Sequence, residues 1–291
     1  MKAIINHNNF VKLEDVETPQ IDAVNNVLIK VKLAAICRTD LYVAEGIIPS
    51  NEGIILGHEF YGEVVHVFNN VQNVSVGDFV SINPTIFGEN RDKMCGVDVD
   101  GAFAEYIKVP EYLVYKLPES LRPEYGVFTE PAAASLAVLN TGFDKSLKVC
   151  VYGKNRIADL TYKILKVYGY EDVCVFEESG ELSENSFDVI IETFAESLHF
   201  AKIIRGLKKG GIFILKSRQY KPVEICVNDL VKKDIKMIAV NYGDFAEAVK
   251  LLSSGKLDID NLIGETYPLE EFETAFCAAK EREAKKIFLG I

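Results

Sequence analysis

Residues 27–33, Val-Leu-Ile-Lys-Val-Lys-Leu, alternate apolar side chains with lysine, the period of a half-buried strand. Residues 62–68, 78–82 and 101–109 carry further strand patterns, with turn signals at Asn69-Asn70 and Gly77-Asp78 between them. Many short strands separated by turns predict a compact β barrel or sandwich. The pattern changes further on. Residues 147–152 are a short apolar run, and after Gly153 the apolar positions Ile157, Leu160, Ile164, Leu165 and Tyr168 fall at helical spacing. Residues 173–177 return to strand character, which makes a βαβ unit and hence a parallel sheet. Strands at 187–192, 212–215 and 236–240 and helices at 195–207 and 244–252 extend it. The tail reads as a helix over 272–280 and a closing strand over 285–289, and no internal repeat is present.

Apolar residues are 48% of a 291-residue chain, enough for two cores, so two domains are expected. The formal net charge of -11 excludes binding that relies on neutralising nucleic-acid phosphates. Six cysteines, at 37, 95, 150, 174, 226 and 277, are scattered without a C-x-x-C pair, which fits reduced thiols better than a disulfide framework. No apolar run approaches the roughly 18 residues of a membrane helix, and the first residues hold no stretch of signal-peptide length. A soluble, cytoplasmic protein with no membrane or nucleic-acid partner is expected.

Against that background one cluster stands out. Cys37-Arg38-Thr39-Asp40 is followed by Gly57-His58-Glu59, so a thiol, an imidazole and carboxylates recur in a segment of apolar and small residues. Thiolate and imidazole are ligands that zinc accepts, and catalytic zinc commonly takes three protein donors. Glu59 offers an oxygen donor, and Glu130, in Phe128-Thr129-Glu130-Pro131, offers another.

These motifs stand in a fixed order with Gly62-Glu63-Val64-Val65, Val76-Gly77-Asp78-Phe79-Val80 and Asp100-Gly101-Ala102-Phe103-Ala104-Glu105-Tyr106. In that order they resemble the zinc-dependent branch of the medium-chain dehydrogenase/reductase family, and more weakly the likeness runs over the whole chain. The resemblance implies an α/β protein with a GroES-like β-barrel catalytic domain over 1–120, to which 256–291 returns. It also implies a shortened, Rossmann-type doubly wound parallel-sheet domain over 121–255. It places Cys37, His58, Glu59 and Glu130 around one catalytic zinc. It gives Asp40 the other ring N–H of His58 to accept and makes Thr39 the proton-relay hydroxyl. Arg38 matches a position that contacts a cofactor pyrophosphate in some members. Lys286 is drawn toward the same group, although on its own it reads as a solvated terminal lysine. Relatives carry a second, structural zinc on four cysteines, but residues 83–99 contain only Cys95, so no structural zinc is expected.

The cofactor half is less complete. The dinucleotide fingerprint needs glycines for a tight turn and for close approach of the pyrophosphate to a helix N-terminus. Here Gly153 keeps the first position, Asn155 stands at the second and Ala158 at the third. Asn tolerates positive φ better than most residues, yet its side chain would crowd the phosphates. Glu177 closes the second strand, where an acid binds ribose hydroxyls and favours NAD over NADP. Only residues 178–186 separate it from the next strand, too few for the usual helix and strand, so the sheet is expected to lack a strand. The reading is a zinc- and NAD-dependent oxidoreductase that exchanges hydride with a secondary alcohol, polyol or sugar-type small molecule, as a homodimer. The alternative is a degenerate member that keeps the zinc but binds cofactor weakly or not at all, with a non-redox or regulatory role.

Overall fold

The strand Val27–Ala35 is the one around which the first part of the chain closes. Its alternation buries Val27, Ile29 and Val31 and turns Lys30 and Lys32 to the half-buried side. It pairs antiparallel with Glu59–Val67, with Tyr106–Val109 and, near its end, with Lys286–Gly290. The sheet continues through Phe79–Ile82 and Val114–Lys116 on one side and Ile263–Pro268 on the other. Val31, Phe60, Val64, Val80, Ile82 and Leu289 fill its interior. Each such side chain contributes about 1.5–3 kcal/mol when fully buried. Phe10–Asp15, Lys2–His7 and Ile54–Ile55 form a separate three-stranded antiparallel sheet.

The computed structural model describes every residue except 9, 25, 195, 219, 220 and 282–284, so Ala195, the expected start of one helix, lies outside the described residues. The chain groups into two compact units. The first is Met1–Pro131 with Phe245–Gly255 and Ile259–Ile291; the second is Ala132–Asp244 with Lys256–Asp258. The first joint thus follows Pro131 rather than 120, and the return to the first unit begins earlier than 256, with the helix Phe245–Ser253. Its leading ring stacks on Tyr115, with centroids 5.4 Å apart, which is why it sits there.

The second unit holds a five-stranded sheet in the order Val173–Phe176, Val149–Tyr152, Phe187–Glu192, Leu207–Leu215, Lys236–Ala239. Every pairing is parallel. The helix Arg156–Val167 packs Ala158 and Leu165 on Val149, Val151, Val189 and Ile191. The helix Ser197–Gly206 packs Phe200 and Ile203 on Cys150, Tyr152, Ile190 and Phe213. Alternate residues of the same strands serve the two helices, so the sheet is covered on both faces, as in doubly wound folds. Among the described residues no strand lies beyond Val173–Phe176, which is therefore an edge. The missing strand is the one the short interval after Glu177 predicts. No described helix is long and apolar enough to cross a membrane.

Candidate metal centre and phosphate loop

Three neighbouring strands bring the metal-type residues together. Cys37 lies two residues past the end of Val27–Ala35, Glu59 opens the strand paired with it at Ala35, and Lys286 opens the tail strand that pairs at Phe288 with the same residue. Ile36 N–H also donates to Ile287 O at 2.9 Å, tying the tail beside Cys37. Glycine fixes the approach to His58. Gly57 has φ +93°, and a Cβ there would meet the Phe103 ring at 2.3 Å. The backbone of Ala102 and Phe103 donates to Gly57 O and Leu56 O at 2.9 and 2.8 Å, so the Asp-Gly-Ala-Phe motif is the clamp that holds this turn.

Asp40 joins the two halves of the cluster. Its Oδ2 accepts the backbone N–H of Cys37 at 2.7 Å, across the first turn of the helix Arg38–Ala44. Its Oδ1 lies 3.1 Å from His58 Nδ1, and both side chains are fully buried. With Nδ1 facing a carboxylate, the free position of the ring is Nε2, and that atom is buried with no hydrogen-bond partner. Burial lowers the His58 pKa, but the Asp40 carboxylate and the Cys37 sulfur outweigh it and raise the pKa well above its ordinary value. The site therefore favours positive charge at a buried nitrogen, which a metal ion can supply in place of a proton.

Ligand atoms of Cys37, His58 and Glu59 all lie within 4.8 Å of one another, and this is the one such group among the described residues. Glu130 is 5% exposed in the first turn of Thr129–Leu136 and does not belong to that group. The Thr39 hydroxyl stands 3.9 Å from Cys37 Sγ. Arg38 is half-buried at the first helical position beside it. Cys95 is buried elsewhere, and burial pushes its thiol up to about 12. Lys286 is not a solvated terminal lysine. It is 1% exposed, and its Nζ donates to Glu59 Oε2, itself 2% exposed. The two are 227 residues apart in sequence, so only the barrel closure reveals the pair.

In the second unit Gly153 has φ +125°, and a Cβ there would meet Thr193 Oγ1 at 2.4 Å, so glycine is required. Ala158 is fully buried against the sheet. Asn155 does not use positive φ. It sits at φ −146° as the cap of Arg156–Val167, its Oδ1 accepting from Ile157 N and Ala158 N at 3.0 Å each. Its Nδ2 donates to Thr193 Oγ1 at 3.0 Å. Glu177 pairs with Lys154 Nζ at 3.0 Å, and Glu178 Oε2 accepts Lys154 N–H at 2.8 Å. Neither Glu178 nor Thr193 carries a motif that points to this loop.

A family model described as the Alcohol dehydrogenase GroES-like domain matches residues 23–119. L-threonine 3-dehydrogenase of Bacillus velezensis is 30% identical over 347 aligned positions, covering 99% of this chain and 98% of that protein. (R,R)-butanediol dehydrogenase of Bacillus subtilis is also 30% identical, covering 99% of each chain. The solved structure of 2R,3R-butanediol dehydrogenase from Bacillus subtilis matches with a TM-score of 0.88 at 26% identity, over 100% of this chain and 99% of that one. The chain belongs to the zinc-dependent medium-chain dehydrogenase/reductase family. Within it the protein is an enzyme of the alcohol and polyol dehydrogenase kind, built from a GroES-like barrel and a Rossmann-type unit. An alignment of 347 positions against 291 residues also means that this chain lacks stretches the relative carries.

Family membership implies zinc and a nicotinamide cofactor. The first fits: a thiol, a carboxylate and an unpartnered buried imidazole nitrogen are a zinc donor set. The second does not fit the loop as it is folded. The N–H groups of 154, 157 and 158, which a pyrophosphate would use, already donate to Glu178 and Asn155.

Proposed function

We propose that the chain is a zinc-dependent oxidoreductase that exchanges hydride between NAD(H) and a secondary alcohol, polyol or sugar-type substrate. The observation that carries this reading is the buried, unpartnered Nε2 of His58, grouped with Cys37 and Glu59 within 4.8 Å. Bound there, zinc would supply a Lewis acid that draws charge from the substrate oxygen. The chain's own residues do the rest. Asp40 fixes the His58 ring through Nδ1 and keeps Nε2 turned inward. Thr39, beside the Cys37 sulfur, takes the hydroxyl proton at Oγ1 and passes it outward. Lys286 balances the Glu59 carboxylate, and Glu130 is the further carboxylate candidate for an exchanging position.

The same reading assigns Arg38, Gly153, Ala158 and Glu177 to the cofactor side, with the acid at 177 selecting NAD, and puts Asn155 at the second fingerprint position, where its side chain has to leave Ile157 N and Ala158 N before a pyrophosphate can use them. Relatives named for L-threonine and butanediol make β-hydroxy amino acids and vicinal diols the first substrates to assay. A homodimer in the cytoplasm, with a small molecule as its other partner, completes the proposal. The test is metal content of protein purified without chelator. About one zinc per chain is expected, lost in His58→Ala and in Cys37→Ser, and near-zero zinc in the wild type would count against the site.

One observation favours a second reading. The occupied phosphate loop suits a member that keeps the metal but binds dinucleotide weakly and works without net redox or in regulation. Product formed from a hydroxyl substrate with no change in NADH absorbance would select it.

A further inference from the structure

The first helix of the second unit carries its own acceptors where a phosphate would bind. The opening N–H groups of a helix lack intrahelical partners, and phosphate oxygens bind there because those donors are free. In this chain Ile157 N and Ala158 N both donate to Asn155 Oδ1 at 3.0 Å. Lys154 N, in the preceding turn, donates to Glu178 Oε2 at 2.8 Å. The first acceptor is firmly held. Asn155 is 7% exposed, and its Nδ2 is anchored on Thr193, whose hydroxyl in turn donates to Tyr152 O at 2.9 Å. Glu178 adds a negative charge, and the ammonium of Lys154 is drawn to Glu177. A glycine at 155 would have no side chain to place there, so the closure is a property of this residue and not of the fold.

We propose that Asn155 and Glu178 hold the phosphate loop in a closed, self-capped form, so that a dinucleotide binds only by displacing both side chains. They are the residues that set the affinity of this chain for pyrophosphate-bearing cofactors. This rests on the reading of the second unit as a dinucleotide-binding domain. Displacement exchanges three existing hydrogen bonds for three new ones, so the pyrophosphate loses most of the gain that an open loop would give it. The carboxylate of Glu178 must also move away from the incoming charge.

The experiment is a titration of the zinc-loaded 291-residue chain with NADH, read by the cofactor's own fluorescence because the chain has no tryptophan, and by calorimetry. Wild type is expected to half-saturate only in the millimolar range. Asn155→Gly is expected to tighten NADH by about tenfold, Glu178→Ala by less, and the double variant by more than either, on the scale of one to two hydrogen bonds. Glu178→Gln removes the charge but keeps an acceptor for Lys154 N–H, so it falls between wild type and Glu178→Ala. Asn155→Ser keeps a cap and stays near wild type, which guards against an effect of misfolding. Wild-type binding at micromolar NADH, or variants within about twofold of wild type, would overturn the proposal. If the double variant binds NADH tightly yet moves no hydride to any alcohol, the oxidoreductase reading falls and this inference stands. If wild type binds tightly and turns over, the reverse holds.

Discussion

Two helix starts in this protein use the same device toward opposite ends. At the helix Arg38–Ala44, Asp40 reaches back to the Cys37 N–H and holds the His58 ring with its other oxygen. That leaves a thiol, a carboxylate and one ring nitrogen facing each other, the nitrogen with no protein partner. At the helix Arg156–Val167, Asn155 reaches forward to two N–H groups, and Glu178 takes a third. There three of the N–H donors a ligand could use are already paired. A buried polar atom without a partner costs free energy, so a fold keeps one where something else completes it. At the first helix start the unpartnered atom is a ring nitrogen grouped with two further ligand atoms, whereas at the second the N–H groups of 154, 157 and 158 are capped, although both carry the residue types of a ligand site.

The largest expected effect tests how the metal side holds its charge. Lys286→Met leaves the Glu59 carboxylate buried without its cation. Removing one partner of a buried pair destabilises by about 3–5 kcal/mol, and urea unfolding of chelator-treated protein should show a loss of that order. With zinc present the loss should be smaller, because the ion balances Glu59. An equal loss in both states would show that Glu59 serves the barrel and not the metal.

Asp40→Asn comes next. Asn has one acceptor oxygen where Asp40 uses two, so either the Cys37 N–H or the His58 Nδ1 loses its partner. An unmade buried hydrogen bond costs about 1–3 kcal/mol. Loss of the carboxylate behind a ligand histidine weakens metal binding by about 10–100-fold. Competition of the variant against a chromogenic chelator measures the second figure. Unchanged zinc affinity would detach Asp40 from the metal site.

What the sequence revealed, and what it hid, follows from the same contrast. Cys37, His58 and Glu59 are legible because each is a chemically loaded residue in an apolar, small-residue stretch, the last two behind the turn glycine Gly57. The lost strand is legible as well, since residues 178–186 are too few to hold one. Lys286 is not, because a lysine opening a terminal strand carries no local sign that a barrel closes over it. Asn155 could have been read from its type and place, since Asn directly before a helical apolar pattern is a cap signal. Viewed against a glycine fingerprint, it showed only as a departure. The helix Val227–Lys232 buries none of its residues, so no apolar face announces it. The periodicity of Phe245–Ser253 marks a helix but not that its ring packs on Tyr115.

The smallest effect separates a loop closed by a movable cap from one sealed into the core. Replacing a capping Asn by Ala typically costs about 1 kcal/mol, and by Gly only a few tenths. Those figures hold when water reaches the freed N–H groups, which is the condition for a phosphate to reach them too. Asn155→Ala and Asn155→Gly should therefore lower unfolding free energy by about these amounts, with zinc content unchanged. A loss well above 2 kcal/mol in both, on the scale of unsatisfied buried donors, would mean that water cannot enter when the side chain goes. Asn155 would then be a structural bolt between the helix and Thr193, and the second helix start would be closed to any anion, dinucleotide included.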